Sequence, residues 1–530
     1  MRNSTLVDQS APRSGSGRYL GLLLALALLL GLYAWLRYGG AFGHGDTSIS
    51  TWAIRGILDS GRLVPEEGAY PNGYGYQALV VHLSALTGLS LGVLQLAGAV
   101  LLMFWVVMPA WLAYREFTRS ETAASLATLI LLVQPEFLFP LLRGTHEKFT
   151  RGLMFLLLFL LLRSLRAKSF RQVASLVAAF YLVAYALITF NNFFATSFMA
   201  AIGLALLLLW GMRRRTRMDN SGQSSLLRRM EMIILSLLVL AFLFTFYAYP
   251  PAQRQLRVMQ STAEQLSAVF LQVEEEPFNP YDPVLHGWIS LPVYFLVSLA
   301  NWLLLAGSAL VWLWQGWRWF SRREPPEQPG LLLWCFYGAF AFQGVLSIAV
   351  DTSGAIHGNM EHRMFPSFAM LAAPVMAGWL VTYRRRLPGL RRGRLDRALG
   401  VILGSLLVLA VFKATSEPLL SNYWTFYTPS EYRAVNWAEH ALVDRSLWAG
   451  FNDRVATGYQ ISQNGRALPL DLNTALPVSF GTRDFLVSEA TRLHGVRLFS
   501  PLPLEADTHL TYDNGKAKIY HSRPRSPLQR

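Results

Sequence analysis

Asp46 lies in "FGHGDTSISTWAIRGIL", where a carboxylate follows glycine and histidine and precedes an amphipathic run. Asp ahead of Thr-Ser-Ile-Ser-Thr reads as a helix N-cap, its carboxylate accepting backbone N–H groups. The same placement suits a general base or metal ligand at a membrane surface, where an ionised group stays hydrated until substrate closes over it. The two readings are compatible. His44 reads as a loop residue or as a second, weaker ligand. Glu147, preceded by His146 in "RGTHEKFTR", opens another apolar run, and a carboxylate at a helix start is favoured by the helix dipole. Asp46, Glu147 and His146 together would make a site for a divalent cation, Mg or Mn, or for proton transfer. No spacing among them is diagnostic of a metal.

Cationic residues form a second group. In "GNMEHRMFPSFAMLAAP", Glu361, His362 and Arg363 stand at the start of an apolar run. A guanidinium at headgroup level suits a phosphate, and it equally suits an interfacial anchor or a partner for Glu361. Arg254 and Arg257, spaced i and i+3, read as a phosphate clamp or as a solvated helix face.

The elements that must hold these residues are membrane spans. The chain of 530 residues is 53% hydrophobic and 15% charged, against roughly 25% charged for an average soluble chain. Eleven apolar stretches approach the roughly 20 residues that cross a bilayer: 19–37, 90–113, 122–142, 152–162, 173–190, 193–211, 231–248, 288–315, 331–350, 365–382 and 398–412. The expectation is an all-α polytopic membrane protein with about eleven transmembrane helices. Of the 47 Lys and Arg, 25 fall in the six short segments that share a side with the N-terminus, as in "RRRTR" and "RRRLPGLRRGR". That bias sets orientation and places the N-terminus inside. It also accounts for the net charge of +15 without nucleic acid.

Three units follow: a polar N-terminal tail 1–17, a transmembrane module 18–412 and an outside mixed α/β domain 413–530. The first outside loop, 38–89, carries two interfacial amphipathic helices, after Asp46 and at 74–86, with turn residues between them. Apolar residues from Leu256 to Val273 keep a three- and four-residue spacing, which predicts an outside helix over 252–273 that acts as a lid. In the tail, "TPSEYRAVNWAEHAL" reads as a capped helix, "SLWAGF" and "ALPLDL" as strands, and "HLTYDNGKAKIYH" as a hairpin around Asn-Gly. The lone cysteine, Cys335, excludes an intramolecular disulfide. The tryptophans between Trp288 and Trp319 read as interface belts.

This order of features resembles the GT-C integral-membrane glycosyltransferases, which use polyprenyl-phosphate-linked sugars. The likeness rests on "GHGD" opening a long outside loop, the phrase "AIRGILDSGRLVPEEGAYPNGYGYQAL", the acid of "THEKF", the basic "EHRMFP" and an outside tail with "YDNGKAKIYH". The resemblance implies Asp46 at the catalytic centre, as base or metal ligand, a supporting role for Glu147, and a donor-phosphate contact at Arg363. It implies transfer of a sugar, with inversion, to a glycan, lipid or protein acceptor on the outer face of a bacterial inner membrane. The soluble-domain Trp-Trp-Asp-Tyr-Gly motif of oligosaccharyltransferases has no match in "LWAGFNDRVATGYQI". Two other classes fit a polytopic chain. A transporter of lipid-linked glycans would place ionisable residues in mid-span, often in related halves, whereas a non-catalytic envelope component would tolerate Asp46→Asn.

Overall fold

The computed structural model describes residues 16–37, 45–64, 70–98, 102–167, 169–216, 239–253, 291–322, 328–352, 360–415, 429–442, 446–450, 466–470, 483–488 and 508–522. Its membrane part is entirely helical, as it must be where lipid offers the backbone no hydrogen-bond partner. The helices are α1 (Ser16–Arg37), α2 (Gly45–Ser60), α3 (Gly75–Thr87), α4 (Phe104–Thr118), α5 (Glu121–Leu132), α6 (Pro135–Leu142), α7 (Glu147–Arg166), α8 (Phe170–Phe190), α9 (Asn192–Thr216), α10 (Leu291–Val297), α11 (Leu299–Arg322), α12 (Gln328–Thr352), α13 (Met360–Arg386) and α14 (Gly389–Thr415).

Among the described residues, six helices are long and apolar enough to cross a membrane, or eight if α5 with α6 and α10 with α11 each count as one bent span. The other three expected stretches differ for local reasons. Stretch 90–113 divides into a π-helical turn, Val93–Gly98, and α4. Stretch 152–162 is the apolar middle of α7, which extends past it in both directions into charged ends. Stretch 231–248 is described only from residue 239.

The two bends matter for the site. α5 turns by 77° into α6 at Val133–Gln134, where Pro135 cannot continue the hydrogen-bond ladder, and α10 turns by 66° into α11 at Ser298. Below them the helices pack around one apolar core with Tyr114, Phe137, Phe155 and Tyr337 fully buried. Trp312 and Trp334 stack at 4.6 Å between ring centroids, and each indole N–H donates to the other's carbonyl, at 2.9 and 3.0 Å. Trp312 is thus a joint between α11 and α12, not a belt residue; Trp302, Trp314 and Trp317 are exposed, as a belt requires.

The C-terminal region contributes α15 (Pro429–Ala441) and a five-stranded sheet ordered β2-β1-β3-β5-β4. The expected strands are β1 (Ser446–Gly450) and β2 (Arg466–Leu470), and the hairpin is β4 (Thr508–Asp513) with β5 (Ala517–Ser522). β1 pairs parallel with β2 and β3, and β5 pairs antiparallel with β3 and β4. β3 (Arg483–Ser488), in "TRDFLVSE", is too short and mixed to show a period in the sequence. α15 covers the sheet through Ala434, Val435 and Ala438 against Leu486 and Ile519.

Candidate functional site

The sequence-assigned residues that the structure describes gather at one face, where loops join α1 to α4, α6 to α7, α8 to α9 and α12 to α13. Asp46 is the second residue of α2, so it stands two positions past the N-cap expected of it, still in the turn where backbone N–H groups favour a carboxylate. α2 is held by its inner stripe: Thr51 Oγ1 donates to the Thr47 carbonyl and accepts from Gln95 Nε2, at 2.7 and 2.6 Å, and Ile54 packs with Tyr76 and Val80 of α3. The turn before α3 is a close joint. Gly73 has φ +150°, and a Cβ there would lie 2.1 Å from the Thr189 carbonyl oxygen. Asn192 N–H donates to the Asn72 carbonyl beside it, at 2.7 Å.

The segment Arg143–Arg151 is buried almost throughout, charged residues included: Arg143, Lys148 and Arg151 are each 2% exposed or less, and Glu147 is 9% exposed. Arg143 Nη2 donates to Glu147 Oε2 at 2.8 Å, and Tyr76 hydroxyl donates to the Gly144 carbonyl at 3.0 Å, joining α3 to this loop. Asn191 caps α9, its Oδ1 accepting from Phe194 N–H at 2.9 Å. That bond fixes the amide, so Nδ2 donates to His146 Nε2, 2.8 Å away. The lone pair of Nε2 is thereby used and the proton of the neutral ring sits on Nδ1. In this arrangement neither nitrogen of His146 is placed to ligate a cation.

α13 brings in the cationic side. Its first turn is held from three directions. Asp351, in the last turn of α12, accepts the N–H groups of Met360 and Glu361 at 2.8 and 2.7 Å. His362 Nδ1 stands 3.6 Å from Glu136 Oε2. Arg151, one helical turn beyond Glu147 on α7, donates to Ser367 Oγ and to the Arg363 carbonyl, the latter at 3.0 Å, with its guanidinium over Phe194. Arg363 itself points out, exposed. Thus the helix that carries the buried Glu147 carboxylate and the backbone that carries the exposed Arg363 side chain are fixed to each other through Arg151.

No sequence-family profile matches the chain, and no curated protein matches it. Solved structures do. The chain is similar to ArnT from Cupriavidus metallidurans bound to undecaprenyl phosphate, at 14% identity and a TM-score of 0.51, over 95% of this chain and 98% of that one. It is similar to the apo oligosaccharyltransferase of Archaeoglobus fulgidus at 11% identity and a TM-score of 0.56, over 94% and 74%. Similarity also extends to the Archaeoglobus fulgidus oligosaccharyltransferase AglB in complex with an inhibitory peptide and a dolichol-phosphate, at 12% identity and a TM-score of 0.50, over 98% and 75%. The chain shares the fold of these solved structures, as the GT-C resemblance in its sequence implied.

On this scaffold the sequence-assigned residues divide unevenly. Glu147, His146, Arg363, Glu361 and His362 all lie at the site face. The backbone of Asp46 lies there too, while its side chain, His44, Arg254, Arg257 and nearly all of the 252–273 helix fall outside the described residues. Among the described residues no three His, Cys, Asp or Glu side chains gather as a metal centre. Sequence reasoning missed Arg151, Asn191, Asp351 and the pair Glu136–Lys413. Lys413 Nζ donates to Glu136 Oε1 and Ser298 Oγ, at 2.5 and 2.7 Å, linking both bends to the outer end of α14. The signal for that pair was a charge next to each break in an apolar run, "VQPEF" and "VFKAT".

Proposed function

We propose that the protein is a membrane glycosyltransferase that moves a sugar from a polyprenyl-phosphate-linked donor to an acceptor at the site face. The observation that carries the reading is the fold, shared with ArnT bound to undecaprenyl phosphate and with AglB bound to a dolichol-phosphate. The arrangement of first-turn residues supports it: Asp46 on α2, Glu147 on α7 and Arg363 on α13. Arg363 would bind the donor phosphate, a task that suits a planar, permanently charged group. Asp46 would orient and deprotonate the acceptor hydroxyl, which attacks the sugar carbon from the side opposite the phosphate and inverts it. Glu147, neutralised in part by Arg143, would support Asp46. If a divalent cation is used, Asp46 and Glu147 would hold it, and its charge would offset that of the departing phosphate.

The orientation proposed is N-terminus cytoplasmic with the 413–530 domain outside, in a bacterial inner membrane, as the distribution of Lys and Arg supports. The test is sugar transfer from a panel of polyprenyl-phosphate sugars by purified protein, wild type against Asp46→Asn, with and without chelator. Turnover should fall by about 10²–10⁴ in the variant, the usual worth of a positioned acid–base group. Equal turnover in a folded Asp46→Asn protein would remove Asp46 from the chemistry.

A further inference from the structure

The face opposite the site carries a feature that glycosyl transfer does not use. α13 ends in Arg384, Arg385 and Arg386, the chain turns at Leu387–Pro388, and α14 begins with Arg391, Arg392, Arg394 and Arg397. Seven arginines and one carboxylate, Asp396, thus fall within residues 384–397. The single acid is already taken, because Arg384 grips it with Nε and Nη2 at 2.6 and 2.7 Å. That grip ties the two legs of the hairpin together. Arg392 closes the turn, donating to the carbonyls of Arg385 and Leu387 at 3.4 Å each.

The other five arginines are exposed, and none of them makes an ion pair among the described residues. They are therefore presented on a folded hairpin and not on a loose loop. Depth decides what they meet. α13 and α14 have 27 residues each, about 40 Å of helix at 1.5 Å per residue. That length matches a bilayer with its headgroups, about 40–45 Å, and exceeds the ~30 Å of hydrocarbon. Trp379 and Tyr383 stack at 5.5 Å just before the arginines, an aromatic pair of the kind found at the hydrocarbon boundary. Leu390, 88% exposed, sits at the tip. The guanidinium groups therefore lie in the headgroup layer, where their partners are phosphodiesters.

We infer that the α13–α14 hairpin is a binding site for anionic phospholipid headgroups of the leaflet opposite the candidate site. Orientation needs only positive charge on this side, which the run at 213–217 also supplies. A preformed cluster with its one acid neutralised adds selective retention of anionic lipid.

The test is native mass spectrometry of the full chain released from nanodiscs of equal parts phosphatidylglycerol and phosphatidylcholine. Wild type should retain phosphatidylglycerol over phosphatidylcholine by about fivefold or more. R385Q/R386Q/R391Q/R394Q should lose most of that preference, whereas the lysine version of the same four positions, which keeps the charge that directs insertion, should hold it. R213Q/R214Q/R215Q/R217Q removes equal charge from the same side and should leave the preference in place. Absence of preference in wild type, or equal loss from both glutamine variants, would overturn a site at the hairpin. Should the first glutamine variant fail to insert, the lysine version decides together with wild type in about 0.5 M salt, where screening shortens to a few ångströms and the preference should collapse. The readout does not depend on sugar transfer.

Discussion

The Arg151 guanidinium donates through Nη2 to the main-chain carbonyl of Arg363, 3.0 Å away and 212 residues later in the chain. One buried cation therefore sets how far the proposed donor-phosphate contact on α13 stands from the carboxylate on α7. The bond is to the backbone of Arg363, so the exposed side chain keeps its freedom to meet a ligand while its anchor stays fixed.

Arg151→Met should leave the Ser367 hydroxyl and the Arg363 carbonyl without their partner, at about 1–3 kcal/mol for each buried group left unsatisfied. The donor KM should rise more than kcat falls, with kcat/KM down about tenfold or more, because the phosphate contact shifts without the reacting groups changing. Arg151→Lys should not restore it, since an ammonium cannot span both acceptors. Steady-state kinetics on the three proteins, with thermal unfolding in the same detergent, checks this.

Lys413→Met should destabilise strongly, by about 3–5 kcal/mol, because it leaves Glu136 buried without its ammonium. Lys413→Met with Glu136→Gln should recover much of that loss, since the charge to be compensated has gone. Guanidinium or heat unfolding of both variants decides it; equal loss in the double variant would mean that the bends need the ion pair itself.

Gly73→Ala should release the first outside loop. Its Cβ would meet the Thr189 oxygen at 2.1 Å, and φ +150° is a conformation that alanine resists. The backbone at 189–192 cannot yield without disturbing the Asn191 cap and its bond to His146. Limited proteolysis should show faster cleavage between Ser60 and Tyr70, and activity should fall with it.

Alkaline titration should find Tyr74, at the same joint, ionising late. Burial, and then the hydrogen bond to Tyr185 at 3.4 Å, push the Tyr74 phenol up to about 12. A folded pKa above the ordinary value of about 10 adds stability that is complete below pH 10 and is lost as pH climbs through about 12. Tyrosinate absorbance of wild type minus Tyr74→Phe should therefore rise near 12, and an amplitude centred near 10 would show that the joint is open.

Much of the scaffold was readable along the chain because its signals are local. Asn-Gly between alternating apolar residues gave the β4–β5 hairpin, and "THEKF" gave the start of α7 at Glu147. The helices Gly45–Ser60 and Gly75–Thr87 were visible as amphipathic runs. The count of eleven spans was less secure, since hydropathy measures composition and a bent pair such as α5–α6 has the composition of a single span.

By itself the sequence determined a polytopic membrane chain with an α/β tail, the uneven placement of its arginines, and acids at helix starts. Each of these follows from short-range rules of hydrophobic length, charge and capping. Only the tertiary structure decided that Arg151 would hold Arg363, that Asn191 would take the Nε2 lone pair of His146, and that Lys413 would close on Glu136. Those choices join residues 45 to 277 positions apart. A buried polar group must be satisfied by whatever the packing brings within reach, and nothing in the local spacing says which partner that will be.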